Sequence, residues 1–182
     1  MDLDNIIKGC MDGDRKAREA LYGRYRNTLF ALSLKYCANL EEAEDNLHNA
    51  FVEIFTNIRS FANKGSFEGW MKRITIHKAI DSYRKTFGLV ALPDKLPDDT
   101  TVDEDEMDVS LDRLLELVQR LPNQYRLVFC LYELDDYSHK EIASMLDITE
   151  GTSKSNLHKA KALLKRELQQ TPINPKKVSN GK

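Results

Sequence analysis

The sequence has few residues of the kinds that build disulfide frameworks, tight turns or membrane spans. Its three cysteines, Cys10, Cys37 and Cys130, are odd in number and far apart, so they predict neither a disulfide framework nor a zinc site. Five prolines and eight glycines leave little material for a turn-rich fold. No apolar run approaches the roughly 18 residues of a membrane-spanning helix, and the N-terminus is acidic. These absences predict a cytoplasmic protein with no membrane insertion, no metal and no cofactor.

Charge is distributed unevenly along the chain, although the formal net charge is only −2. Residues 88–112 hold nine acidic side chains and one basic one, together with two prolines and no helical periodicity. That composition predicts a flexible acidic linker between two folded units. We therefore expect an N-terminal domain over residues 1–87, a C-terminal domain over 113–170 and a disordered tail over 171–182. The long periodic segments described below predict that both domains are helical.

The segment from Tyr137 to Leu168 has the features of a helix-turn-helix. Ser138 and Glu141 form a capping-box pattern at the start of the first helix. Asp147 stands at the corner, where a left-handed conformation is often needed, and Thr149 can cap the second helix. One face of that second helix repeats at spacings of four, three and four residues, through Ser153, Leu157, Ala160 and Leu164.

The opposite face of the second helix is cationic, with no acidic residue between Gly151 and Arg166. In a helix-turn-helix the second helix enters the major groove, where side chains contact base edges and phosphates. A solvated helix face is the alternative interpretation of the lysines, but the capped preceding helix and the short turn favour DNA. The candidate DNA-binding residues are Lys154, Ser155, His158 and Lys159.

Two long helices are predicted in the N-terminal half, over residues 14–38 and from Leu40 to Ile58, each with an apolar stripe. A third follows the loop around Lys64 and extends from Ser66 to about Lys85. One side of it combines aromatic and cationic residues, as single-stranded nucleic acid requires, although Trp70 could equally be a core residue. The candidate residues for this contact are Phe61, Asn63, Lys64, Phe67, Trp70, Arg73, His77 and Arg84, with Asp81 placed to order the neighbouring donors.

Three blocks occur in a distinctive order around the acidic segment. They are AEDNLHNAFVEIF (Ala43 to Phe55), GSFEGWMKRITIHKAIDSYRK (Gly65 to Lys85) and LPNQYRLVFCLYELDDYSHKEIASMLDITEGTSKSNLHKAKALLK (Leu121 to Lys165). Together they resemble the extracytoplasmic-function (ECF) sigma factors of the sigma-70 superfamily. The resemblance implies an all-α fold with a region 2 domain, a linker and a region 4 domain. It also implies an initiation subunit that binds core RNA polymerase, recognises promoters, helps to melt the DNA and performs no covalent chemistry.

The resemblance also assigns roles by position. The loop from Phe61 to Phe67 would capture a flipped base of the −10 element, and the helix after it would contact the same element. Region 4 would read the −35 element, and the acidic linker would enter basic channels of the polymerase. The chain would contact the polymerase at the clamp coiled coil of the largest subunit and at the flap. It would be a monomer when free, and such factors are often held by an anti-sigma factor. The residues that would dock on the clamp are Asp45, Asn46, Asn49, Phe51 and Val52.

Three other functions compete with this interpretation. A conventional helix-turn-helix regulator would bind a palindromic site as a dimer. An enzyme could use His77, Asp81 and Arg84 as an acid–base site, but no nucleophile elbow, phosphate loop or metal-ligand spacing accompanies them. An interaction adaptor would not bind DNA, so Lys159→Glu would leave its activity unchanged.

Overall fold

The computed structural model describes residues 2–62, 64–87 and 111–170, and all regular elements in these ranges are helical. The all-α prediction is confirmed. Within the described ranges, no helix is long and apolar enough to cross a membrane. The helices are α1 (Leu3–Met11), α2 (Arg15–Tyr36), α3 (Leu40–Asn57), α4 (Phe67–Phe87), α5 (Leu111–Gln119), α6 (Asn123–Phe129), α7 (His139–Leu146) and α8 (Glu150–Gln170).

Helices α1 to α4 form the N-terminal bundle. Asp14 caps α2 by accepting a hydrogen bond from the Lys16 amide at 2.8 Å, and Asn39 caps α3 through the Glu42 amide at 2.8 Å. These caps satisfy backbone donors that the first turn leaves unpaired. The apolar stripes then meet in a core whose least exposed large side chains are Leu21, Leu29, Ile54, Ile58 and Met71. The two predicted helices match α2 and α3 closely, but a 3₁₀ turn, Ile58–Ser60, ends the second one.

Helices α5 to α8 form the C-terminal bundle, and the local features expected of a helix-turn-helix are present. The capping box is complete: the Ser138 hydroxyl accepts from the Glu141 amide, and the Glu141 carboxylate accepts from the Ser138 amide at 2.8 Å. The hydrogen bonds from Ser138 hold the pKa of the Glu141 carboxyl below its usual value. Asp147 is left-handed, with φ of 56°, and Thr149 caps α8 through the Thr152 amide at 3.0 Å. α5 is described from Leu111, inside the segment expected to be linker.

The two bundles pack against each other, which the sequence did not predict. One apolar cluster contains Leu32, Tyr36 and Ile80 of the N-terminal bundle as well as Leu117 and Leu131 of the C-terminal one. Between α6 and α7 the chain makes a π-helical turn, Cys130–Leu134, and Asp136 then adopts a positive φ of 56°. This turn places an acidic corner of the C-terminal bundle beside α4. The linker prediction for residues 88–110 and the tail prediction for residues 171–182 fall outside the described residues.

Candidate nucleic-acid and polymerase interfaces

Helix α8 presents the candidate base-reading residues on its outer side. Lys154, Ser155 and His158 are exposed, and Lys159 is half-buried. The opposite side is anchored in the core, because Ser153, Leu157, Ala160 and Leu164 are all buried, as their spacing predicts. The helix is therefore held by one face while the cationic face remains accessible to a partner.

A contact between the two helices of the motif was missed at the sequence level. His139 Nδ1 lies 2.9 Å from the Ser153 hydroxyl, and Tyr132 stacks on the His139 ring with centroids 4.4 Å apart. Burial and the neighbouring Lys154 lower the pKa of His139. His139 thus joins α7 to the buried side of α8. Residue spacing within either helix carries no signal of this pair, because the two residues meet only after the corner has formed.

Three aromatic side chains cluster where the loop meets α4. Ring centroids are 5.0 Å apart for Phe61 and Phe67, 5.6 Å for Phe61 and Trp70, and 5.4 Å for Phe67 and Trp70. Phe67 is buried, whereas Phe61 and Trp70 are half-buried, so Trp70 both packs on the bundle and reaches its surface. Lys64 is exposed beside Gly65, whose φ of 100° favours glycine. Asn63, a candidate for the same contact, lies outside the described residues.

The cations of α4 follow the aromatic cluster along the helix. Arg73, His77 and Arg84 are all exposed, as is Asp81. Two of these cations contact the C-terminal bundle. Arg73 and Tyr137 line the same cleft, and burial is the main reason that the pKa of Tyr137 is raised. Arg84 Nη2 lies 3.8 Å from Asp147 Oδ2. Arg73 and Arg84 therefore lie beside the C-terminal bundle, whereas the aromatic cluster packs on the N-terminal one.

The candidate polymerase-binding residues of α3 divide into two groups. Asp45, Asn49 and Val52 are exposed, and Val52 retains 52% of its accessible surface. Asn46 and Phe51 are buried instead, with 4% and 3% exposure. A polar groove of about 360 Å³ separates α3 from α4 and is lined by the exposed group together with Lys78, Asp81 and Lys85. The structure thus leaves Asp45, Asn49 and Val52 accessible to a partner, whereas Phe51 is buried and Asn46 lines the groove with only 4% of its surface exposed.

Comparison with known protein families assigns both bundles. The family model for Sigma-70 region 2 matches residues 21–86, and that for Sigma-70 region 4 matches residues 111–164. Together the two matches span more than half of the chain. The chain belongs to the ECF sigma factors of the sigma-70 superfamily. As a sigma factor, it serves in promoter recognition and transcription initiation.

The sequences of individual relatives align with nearly the full length of this sigma factor. It is 28% identical over 182 residues to the ECF RNA polymerase sigma factor SigW of Bacillus subtilis, covering 92% of this chain and 97% of SigW. It is 29% identical over 165 residues to the ECF RNA polymerase sigma factor SigM of Mycobacterium tuberculosis, covering 90% and 83%.

A solved structure supports the fold. The sigma factor RpoE of Bartonella quintana, crystallised in complex with the anti-sigma factor NepR, aligns with a TM-score of 0.52 at 18% identity. The alignment covers 83% of this chain and 96% of RpoE. At 18% sequence identity, this structural similarity is evidence for the fold alone.

The residues that join the two regions of the sigma factor were not found from the sequence. Lys35 and Tyr36 end α2, and Asp135 follows the π-helical turn about 100 positions later. Arg126 of α6 is only 3% exposed. The sequence contained one signal of this junction, an arginine within the apolar stretch of α6. A buried charged group needs partners, and these had to come from elsewhere in the fold.

Proposed function

We propose that the two regions bind two promoter elements through separate faces. Residues 113–170 form the −35 domain and read the duplex through Lys154, Ser155, His158 and Lys159 of α8. Residues 1–87 form the domain that binds the polymerase and the −10 element. The observation that carries the proposal is the cationic outer face of α8, which is held by a buried inner face and a capped preceding helix. Such a helix is suited to the major groove.

The N-terminal domain has the two further surfaces that this role requires. The cluster of Phe61, Phe67 and Trp70 supplies stacking platforms for unpaired bases, and the exposed cations of α4 supply phosphate contacts. The exposed side of α3, with Asp45, Asn49 and Val52, docks on the clamp coiled coil of the polymerase, while region 4 contacts the flap.

The protein performs no covalent chemistry itself and acts in the cytoplasm, where the DNA is. The anti-sigma factor bound to RpoE indicates the kind of inhibitor expected.

Replacing Trp70 separates promoter melting from polymerase binding. We expect Trp70→Ala to bind core polymerase normally and to form about 5- to 150-fold fewer open complexes, since stacking contributes roughly 1–3 kcal/mol per base. The measurement is permanganate footprinting of the −10 region together with polymerase binding by anisotropy. Trp70→Phe is the control, because it keeps an aromatic ring in the cluster.

Circular dichroism and thermal unfolding of the Trp70 variants decide whether the effect is local. A folded Trp70→Ala protein with normal open complexes would remove Trp70 from the melting face. Unfolding of Trp70→Ala would show that the residue acts mainly in the core.

A further inference from the structure

A chain of three side chains connects the π-helical turn to the start of α8. Tyr132 of the turn stacks on the ring of His139, with centroids 4.4 Å apart and ring planes 19° from parallel. His139 opens α7, and its Nδ1 lies 2.9 Å from the hydroxyl of Ser153 in the first turn of α8. The turn, α7 and α8 therefore meet at one polar contact, and His139 is at its centre.

The same turn contacts α8 a second time through the next residue. Glu133 Oε1 lies 2.7 Å from Lys161 Nζ, roughly 12 Å along the helix axis from Ser153. The Glu133 and Lys161 side chains are 31% and 42% exposed, so this ion pair contributes little by itself. The contact at Ser153 is the stronger constraint on α8, because Ser153 is completely buried.

The buried hydroxyl of Ser153 restricts how α8 can sit against α7. The rest of its stripe, Leu157, Ala160 and Leu164, is apolar, and apolar contacts are not directional. A hydroxyl taken out of water without a partner is unfavourable, whereas a hydrogen bond is directional. His139 Nδ1 meets Ser153 at one rotation of α8 about its axis. The pair therefore favours that rotation over others that the apolar stripe alone would tolerate.

This contact lies at the end of α8 that carries the candidate base-reading residues. Lys154 and Ser155 directly follow Ser153 and are exposed. Burial first, and then the charge of Lys154, lower the pKa of His139, so Lys154 lies close to the ring. In a helix-turn-helix the N-terminal residues of the second helix contact base edges. A rotation of α8 at Ser153 would thus shift the side chains that reach the bases.

We propose that His139 is a positioning residue for recognition of the −35 element. Stacked on Tyr132 and hydrogen-bonded to Ser153, it fixes the rotation of α8. That rotation determines which base edges Lys154 and Ser155 reach. A π-helical turn at this place agrees with the frequent occurrence of such turns at functional sites. The inference rests on the proposed function, because α8 is the helix assigned to the −35 element.

Four variants separate positioning from general stability. His139→Phe keeps a ring against Tyr132 but removes the hydrogen bond, and Ser153→Ala removes the hydroxyl alone. His139→Asn is the conservative variant, because its amide offers both a donor and an acceptor close to the place of Nδ1. Ser144→Ala is the matched control, since it makes the same change as Ser153→Ala at an exposed position of α7.

The measurement is promoter selection by holoenzyme assembled from core RNA polymerase and the full chain. Promoters that the parent holoenzyme selects from genomic DNA are randomised at the −35 element, and the bound fraction is sequenced. We expect His139→Phe and Ser153→Ala each to lower the preference for the best −35 sequence over single-base variants by about fivefold or more, the lower end of what one good base contact contributes. The double variant should lose no more than the worse single one, because both remove the same contact.

Two further results distinguish a positioning residue from one that only stabilises the bundle. His139→Asn should keep most of the −35 preference. The salt dependence of promoter binding should stay the same in all variants, because no phosphate contact is lost. A residue that only stabilises region 4 would instead weaken binding to every −35 sequence equally.

Thermal unfolding of each full-length variant, followed by circular dichroism, accompanies the selection. An unchanged −35 preference in folded His139→Phe and Ser153→Ala proteins would overturn the inference, and so would an equal loss for all −35 sequences. If His139→Phe unfolds, Ser153→Ala decides the question, because it removes only a hydroxyl. A parent holoenzyme without any −35 preference would refute the proposed function of α8 and the inference with it.

Discussion

Asn46 and Asn49 lie three residues apart on α3, yet they occupy opposite environments. The Asn46 side chain donates to the Ser33 hydroxyl at 3.0 Å and to the Thr75 carbonyl at 3.2 Å. It thereby links α3 to α2 and α4 at once. Asn49 is exposed on the rim of the groove. One asparagine stabilises the bundle, and the other is available to a partner.

Truncating each asparagine should therefore give opposite results. Asn46→Ala should lower the free energy of unfolding by about 1–3 kcal/mol, because two buried hydrogen bonds are lost. Asn49→Ala should change stability by less than about 0.5 kcal/mol, as exposed substitutions usually do, while weakening polymerase binding. Denaturant unfolding and anisotropy measure the two effects. Equal destabilisation by both substitutions would contradict the assignment of Asn46 to the interior.

Helical geometry alone distinguishes these two residues in the sequence. Ala43, Asn46, Leu47 and Ala50 recur at spacings of three, one and three, so they share the buried side of α3. Asn46 was assigned to the polymerase surface by resemblance, and its position on the apolar stripe pointed inward. Its actual partners, Ser33 and Thr75, were not predictable, because they depend on how three helices pack.

At the scale of elements, α7 and α8 show how much local sequence signals determine. The capping box, the left-handed Asp147 and the buried face of α8 were all predicted, and each involves residues within a few positions of one another. Local hydrogen bonds and periodicity suffice for such features. The aromatic cluster at the start of α4 was predicted only as a set of residues, since ring contacts depend on packing.

The capping box is expected to stabilise the recognition motif measurably. Ser138→Ala should lower the free energy of unfolding by about 0.5–2 kcal/mol, because the Glu141 amide loses its side-chain acceptor. Ser144→Ala makes the same change at an exposed position inside α7, and it should be neutral or stabilising by a few tenths of a kcal/mol, since alanine favours helix interiors. Thermal and urea unfolding compare the two. Greater destabilisation by Ser144→Ala would rule out the cap as the source of stability.

At the scale of the whole molecule, the sequence predicted two domains but not their contact. The acidic segment suggested units that stand apart, and the contacts that bring them together join residues about 100 positions apart. Neither periodicity nor composition reports such contacts, because each partner alone is compatible with an exposed position.

We propose that this sigma factor directs polymerase to promoters through α4 and α8. Run-off transcription with core polymerase from the source bacterium, followed by sequencing of transcript starts, tests it most directly. We predict starts that share −10 and −35 elements at a fixed spacing. Lys154→Ala should weaken use of these promoters and reduce the salt slope by about 1, as loss of one phosphate contact does, whereas the exposed control Lys16→Ala should not. No promoter-specific transcript from any genomic template would contradict the account.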